Sequence, residues 1–278
     1  MNTSKMFFIT GVSSGFGRAI SEEALAAGHR VVGTVRRDEA REAFELLAPG
    51  RAFAVLLDVT DSEAVRRIVA DVESGLGPID VLVNNAGYGH EGTIEESSLD
   101  AMRRQFDVNV FGAVAVLQAV LPAMRRRRAG RILNITSMGG LMTLPGLGVY
   151  HGSKFALEGI SEALGQEVAA FGIHVTAVEP GAFRTDWSGR SMVRAARAID
   201  DYDALFDPIR ASRLALRGHQ PGDPRKAARA IVQLAVAEQP PAHLLLGRDA
   251  VVHVREKLAR LAREFSAWEA VSLGTDFD

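Results

Sequence analysis

Short apolar runs rich in β-branched residues alternate along this chain with longer stretches in which apolar positions recur every three or four residues. The short runs, at 6–10, 30–35, 52–57, 81–83, 131–135, 175–178 and 244–246, predict strands, and being apolar nearly throughout they predict strands covered on both faces. The longer stretches, 16–27, 39–47, 62–74, 99–127, 150–170 and 225–237, predict helices. Strands and helices in this alternation build βαβ units, so the expected fold class is α/β with a doubly wound parallel sheet. The punctuation agrees. Gly28, Gly75 with Gly77 and Pro78, and Gly172 stand where helices should stop, while Asp61, Ser98 and Asp223 with Pro224 stand where they should start.

Two stretches break the rhythm. Residues 184–222, between the sixth and seventh strands, are long and mixed in character, as expected of a segment that covers a binding site. Beyond the seventh strand, 250–270 predicts a last amphipathic helix followed by a polar tail at 274–278. With no linker, repeat or low-complexity tract, the expectation is a single domain over 1–278 with a C-terminal helical extension.

Composition narrows the function classes. The chain is 47% hydrophobic and 24% charged with a formal net charge of −2, which gives no reason to expect a nucleic acid or an anionic membrane as partner. It has no cysteine, so disulfides, thiolate catalysis and cysteine-ligated zinc are excluded. No leader with a cleavage site is seen at 1–10 and no apolar run reaches about eighteen residues, so the expected location is the cytoplasm. The histidines show no metal-ligand spacing, and no metal is expected.

After the first strand the chain reads Thr10, Gly11, Val12, Ser13, Ser14, Gly15, Phe16, Gly17 and enters a helix. Glycines there let backbone amides approach a pyrophosphate, with the helix N-terminus adding positive potential. This strand, turn and helix predict a dinucleotide site. An acidic residue often closes the second strand of such sites to bind the adenosine ribose; here the strand ends Val35, Arg36, Arg37. A guanidinium suits a 2′-phosphate, which favours NADP, whereas Asp38 as a ribose ligand would favour NAD; the two arginines also read as merely solvated. Asp58, with Val59 after the third strand, reads either as an acceptor for an adenine amino group or as a helix-starting residue. Asn84, Asn85, Ala86 and Gly87 end the fourth strand, where small residues admit a cofactor and where a plain turn is equally at home.

Tyr150 and Lys154 lie four apart in a predicted helix and therefore on one face. A neighbouring ammonium stabilises phenolate, so the pair predicts a phenol with a lowered pKa that donates a proton to a carbonyl oxygen, or takes one from an alcohol. With three tyrosines in 278 residues, a chance pair at this spacing is expected only about 0.04 times per chain. Ser137, just after the fifth strand, is placed to hold a substrate oxygen, or is an ordinary loop serine. Asn109 interrupts an apolar helical stretch, and reads either as a satisfied core amide or as part of a proton path that keeps Lys154 charged.

Taken in order, Thr10 to Gly17, Asp58, Asn84 to Gly87, Asn109, Ser137, Tyr150, Lys154, Pro180 and Gly181 resemble the motifs of the short-chain dehydrogenase/reductase family over about residues 5–247. The resemblance implies a seven-stranded Rossmann sheet of order 3-2-1-4-5-6-7, pro-S hydride transfer at the nicotinamide, and a homodimer or homotetramer. It implies that Tyr150 is the acid/base, that Lys154 lowers its pKa and binds the nicotinamide ribose, that Ser137 polarises the substrate oxygen and that Asn109 holds the relay water. Thr185 would contact the carboxamide, and Arg36 with Ser14 the 2′-phosphate. The appearance of 34–36 and the C-terminal helix are similar to the hydroxysteroid- and retinol-dehydrogenase-like branch. The long 184–222 segment leaves the substrate open, and the extension past the seventh strand departs from the usual tetrameric members.

Other features have simpler readings. The four arginines at 125–128 read as a solvated helix end, and His151 points away from Tyr150's side of its helix. Trp187, Met192, Tyr202, Leu205 and Phe206 either line a lipophilic pocket or anchor the long segment to the core. The expected activity is NADP(H)-dependent interconversion of a medium-sized, largely apolar ketone and its secondary alcohol. The alternatives are an NAD-dependent dehydrogenase, a nicotinamide-binding regulator without chemistry, and an epimerase or dehydratase, for which the C-terminal region is too short and too helical.

Overall fold

The structure is a computed structural model that describes residues 4–277; Met1 to Thr3 and Asp278, the outer ends of the two terminal readings above, lie outside the described residues. The strands are β1 (Met6–Ile9), β2 (Arg30–Val35), β3 (Ala52–Leu56), β4 (Val81–Asn84), β5 (Gly89–Glu91), β6 (Gly130–Ile135), β7 (Ile173–Pro180), β8 (Met192–Arg194) and β9 (His243–Leu246). The helices are α1 (Gly15–Ala26), α2 (Asp38–Glu45), α3 (Ser62–Gly75), α4 (Leu99–Phe106), α5 (Ala113–Arg127), α6 (Gly148–Val168), α7 (Asp203–Leu216), α8 (Pro224–Val236) and α9 (Arg248–Leu273). Seven strands form one parallel sheet in the order β3-β2-β1-β4-β6-β7-β9, and β5 pairs with β8 in a separate short ribbon. With that ribbon set aside, the order is the expected 3-2-1-4-5-6-7, and the fold is a Rossmann-type doubly wound sheet.

Alternation along the strands explains the two buried layers. Phe7 and Ile9 of β1 face Ile20 and Ala24 of α1 and the Ile231 and Ala235 side of α8. Met6 and Phe8 face the other way, into a layer with Val65, Val69 and Val72 of α3 and Val116, Val120 and Met124 of α5. Both faces of the sheet are therefore dry, which is why its strands carry no polar alternation. Asp61, Ser98 and Asp223 cap α3, α4 and α8 by accepting backbone N–H bonds, and Gly28 and Gly172 take the positive φ that ends a helix.

Four departures matter. The helix expected over 99–127 is continuous, but Asp107–Gly112 winds as a π-helix between α4 and α5. By length and mean hydropathy this helix, Leu99–Arg127, is apolar enough to cross a membrane; its apolar residues Val116, Leu117, Val120 and Met124 are buried against α3 and the sheet. The long excursion contains β8 and α7, and returns to its starting point where Phe183 bridges Gly222. The arginines at 125–128 are not all solvated: Arg127 pairs with Glu73 at 2.7 Å and donates to the Ile79 carbonyl, and Arg128 donates to the Ala170 carbonyl.

Candidate active site at the carboxyl ends of the strands

The strand order reverses between β1 and β4, so the loops leaving these two strands part and open a crevice at their carboxyl ends. The loops are tied to each other at the back of the crevice. The Thr10 hydroxyl accepts from the amides of Asn85 and Ala86 at 2.9 Å each, and the Asn85 side chain donates to the carbonyls of Thr10 and Gly11. The Gly11 amide donates to the Thr34 hydroxyl at 3.0 Å. Thr10 opens the glycine-turn motif, but Thr34 carries no sign of this in sequence, since a strand threonine is ordinary.

The glycines are required by close approach. Gly11 has φ +73 and a Cβ there would lie 3.1 Å from the Ala86 Cα; at Gly17 a Cβ would land on the Gly11 carbonyl oxygen. Gly15, with φ +59, faces Thr185. Ser14 is the N-cap residue of α1, yet its side chain caps no amide and the first turn of α1 has no acidic residue. Ser13 is exposed beside it. The α1 amides and the Ser14 hydroxyl are thus left for an external anion, which fits the pyrophosphate of a dinucleotide. The Phe16 ring packs edge-on against Phe183, 5.1 Å between centroids, so only its backbone belongs to the turn.

At the other end of the crevice Arg36 and Arg37 are exposed at the start of α2. Asp38 is taken into the first turn of α2, 3.9 Å from Arg41. Asp58 is not the helix cap, a role that Asp61 fills. One Asp58 oxygen accepts from the Thr60 amide and hydroxyl, and these bonds hold its carboxyl below its ordinary pKa, with Arg36 nearby adding to the effect. Asp58 and buried Val59 border a groove of about 640 Å³ walled by Tyr88, Arg104, Val108 and Phe111.

Ser137, Tyr150 and Lys154 converge where β6 ends and α6 begins. Ser137 caps a short 3-10 turn by accepting from the Gly139 amide at 3.0 Å. The Tyr150 ring is buried, and Ser137 lies beside its hydroxyl and draws its pKa down. Lys154 is buried too; its Nζ donates to the Ile135 carbonyl at 2.8 Å and lies 5.8 Å from the Tyr150 ring centroid.

Burial opposes the expected depression of the phenol pKa. Burial pushes Tyr150 up to about 12, opposed only by Ser137, and burial pushes Lys154 down to about 8, opposed by Glu158. Helical spacing fixes the shared face of the pair but not the depth of the site, and desolvation penalises both charged forms. Here the ammonium is spent on a carbonyl rather than on the phenol.

Asn109 sits in the π-helix segment, which turns its amide toward the loop after β4. Its Oδ1 accepts from the Tyr88 amide, and its Nδ2 donates to the Tyr88 carbonyl and to the Ser153 hydroxyl. Both side-chain N–H bonds are spent on protein, so the side chain is a satisfied core amide. Gly87 is pressed between Asn109 and Lys154.

Behind Lys154 lies a cluster that no sequence motif announces: buried Glu158 and Glu179 and exposed His243 offer ligand atoms within 4.8 Å of one another. His243 Nδ1 is 2.7 Å from Glu179, whereas both Glu158 oxygens lack a hydrogen-bond partner, the nearby Thr136 hydroxyl donating to the Val178 carbonyl instead. Burial pushes Glu158 up to about 7 and also raises Glu179. These partners come from α6, β7 and β9 and share no local pattern.

The excursion covers the site. Trp187 lies over Tyr150, 5.1 Å between ring centroids, and with Met192 packs on Gly89. Tyr202 and Phe206 stack edge-on, and Phe206 presses on Gly146, so these two are anchors rather than pocket wall; Leu205 is exposed. The Thr185 hydroxyl accepts from the Trp187 amide at 3.4 Å and keeps its own O–H as a donor. Pro180 ends β7, and the Gly181 amide donates to the Leu246 carbonyl. His151 is buried, pushed down to about 4, and accepts from the Leu144 amide, so it is no second base.

A family model described as short chain dehydrogenase matches residues 5–194. The chain belongs to that family. A solved short-chain dehydrogenase from Streptomyces avermitilis superposes with a TM-score of 0.92 at 43% identity, covering 99% of this chain and 100% of that one. Among curated relatives, the 3-ketodihydrosphingosine reductase of Bacteroides thetaiotaomicron is 37% identical over 87% of this chain and 88% of its own. The NADPH-dependent 3-dehydrocapnine reductase of Ornithobacterium rhinotracheale is 38% identical over 71% and 72%, and human retinol dehydrogenase 8 is 35% identical over 84% and 78%. This short-chain dehydrogenase/reductase is accordingly an NAD(P)-dependent oxidoreductase, and the crevice is the place where a nicotinamide cofactor fits.

Proposed function

We propose that this enzyme interconverts a medium-sized, largely apolar ketone and its secondary alcohol with NADP(H), Tyr150 acting as general acid and base. The observation that carries the reading is the convergence of Ser137, Tyr150 and Lys154 beneath Trp187 at the carboxyl ends of the sheet strands. NADPH, when bound, supplies the hydride that adds to the carbonyl carbon. Gly11, Ser13 to Gly17, Asp58, Val59, Asn85 to Gly87, Pro180, Gly181 and Thr185 would hold the cofactor, and Arg36 with Ser14 its 2′-phosphate.

The chain's own residues do the rest. Ser137 holds the substrate oxygen against the phenol. A phenol near 12 remains protonated at neutral pH and is therefore ready to donate its proton to the developing alkoxide. Lys154, protonated below about 8, stabilises the phenolate left behind once its Nζ turns from the Ile135 carbonyl. Trp187 and Met192 exclude water and favour an apolar substrate. The names of these three relatives support this substrate class: each named substrate is a lipid-like ketone or alcohol. The partial charge balance between Arg36 and Asp58, with Asp38 built into α2, supports NADP over NAD.

The test is a panel of aliphatic and polycyclic ketones and secondary alcohols, followed by absorbance of the reduced nicotinamide with each cofactor. Turnover of apolar ketones with NADPH at least ten times more efficient than with NADH is the expected result. Turnover confined to small polar carbonyls, or an NADH preference, would overturn it.

A further inference from the structure

The last helix has an apolar stripe that, past Val254, the other described residues leave largely uncovered. α9 runs from Arg248 to Leu273, about 39 Å of helix, but only Ala250 and Val254 near its start are buried. Past Val254, Leu258, Leu261, Phe265 and Trp268 recur at spacings of four, three, four and three, the period of a helix that packs along a second helix. Leu258 is 56% exposed, Phe265 68% and Trp268 66%. Two large aromatic rings on one stripe, held in a regular helix clear of the body, mark a surface made to be covered.

The charges identify the occupant. Arg255, Lys257, Arg260 and Arg263 make the first half of the free helix basic, while Glu264, Glu269 and Asp276 make the second half and its tail acidic. We infer that α9 pairs antiparallel with α9 of a second copy of this chain. In that arrangement one register sets Leu258 against Trp268 of the second copy and Leu261 against Phe265, a smaller side chain opposite a larger one at every level. The same register brings Arg255 beside Glu269, and two-fold symmetry makes that pair twice. Glu264 comes near its own symmetry mate, but each already has Arg260 of its own helix at 3.8 Å. A parallel pair would instead stack Phe265 on Phe265 and set Glu264 against Glu269 twice, so it is disfavoured in both packing and charge.

The chain has no cysteine, so single cysteines for spin labelling can be placed at will. Labels on Ala262→Cys lie near the two-fold axis and should read below about 20 Å; labels on Val252→Cys, near the body, should be more than about 30 Å apart along the paired helices. Phe265→Glu in the Ala262→Cys background should abolish the short distance, and sedimentation should show half as many subunits per particle. The inference fails if Ala262→Cys labels show no dipolar coupling at about 100 µM protein, well above the dissociation constant of a stable dimer, or if both sites read equally short. It also fails if Phe265→Glu leaves the coupling intact. Phe265-dependent sedimentation of a monomer with phosphatidylcholine and phosphatidylglycerol vesicles would likewise overturn it, by making a lipid surface the occupant.

Discussion

The floor of the active site and its cover are built by different means. The floor, at the carboxyl ends of β1, β4 and β6, is set by backbone: glycines without room for a Cβ, two threonine hydroxyls that bridge loops, and an amide spent on the Tyr88 backbone. The cover, residues 184–222, is pinned by the short β5–β8 ribbon and by side-chain charge. Glu91 of the β5 ribbon is buried, and it pairs with Arg194 at 3.0 Å and Arg213 at 3.1 Å, two residues of the excursion. Glu96 accepts from the Ala198 and Ile199 amides, and Tyr202 donates to Glu95. The difference separates two properties: chemistry rests on a rigid sheet edge, and substrate fit on a segment whose hold can be loosened without touching the reacting groups.

Substitutions on the two sides should therefore fail differently. At the sheet edge, Arg36→Ala removes a charge-assisted contact worth about 1.5–3 kcal/mol, so KM for NADPH should rise roughly 10- to 100-fold while NADH kinetics and the unfolding temperature stay put. An equal loss with both cofactors would contradict the 2′-phosphate assignment. In the cover, Glu91→Gln deprives two guanidinium groups of their shared carboxylate. Both guanidinium groups reach water, so the cost falls below the roughly 3–5 kcal/mol of a fully buried pair, at about 1–2 kcal/mol, and calorimetry should show unfolding a few degrees lower. KM for the ketone should rise several-fold with kcat nearly unchanged; a collapse of kcat at unaltered KM would merge the two regions into one.

The smallest expected effect lies beneath the floor. Burial lowers Lys154 to about 8 and Glu158 works against that shift, so the ammonium is present below about 8 and is lost as pH rises through it. Carbonyl reduction should hold steady at neutral pH and decline on the alkaline side, while Tyr150, pushed up to about 12, contributes no limb in that range. Glu158→Gln removes the supporting carboxylate and should move the decline to lower pH by about one unit or less. A limb that stays in place would show that Glu158 has no hold on Lys154.

The same contrast decides what is legible in the sequence. The seven sheet strands, the helix caps at Asp61, Ser98 and Asp223, and the glycine turn are local signals, and each appears where the pattern puts it. Tyr150 and Lys154 share a helix face because spacing alone fixes that. The ribbon of β5 and β8 pairs three residues with three others far along the chain, and the partners of Glu91 are as distant, so nothing nearby announces them. The π-helix segment is signalled only by the odd presence of Asn109 in an apolar run, and its wider turn is invisible to a periodicity of about 3.6. The upward shift of the phenol is hidden for a related reason: neighbours on one helix are legible, but the depth of burial is set by every element packed around them.

The central claim is that the Tyr150 hydroxyl delivers the proton. Single-turnover reduction of an apolar ketone by the Tyr150→Phe variant, preloaded with NADPH and followed by loss of nicotinamide absorbance, tests it directly. The account predicts NADPH binding equal to that of the unaltered enzyme and a rate lower by about 10²–10⁴-fold. A Tyr150→Phe variant that binds NADPH and reduces the ketone at the original rate would contradict it.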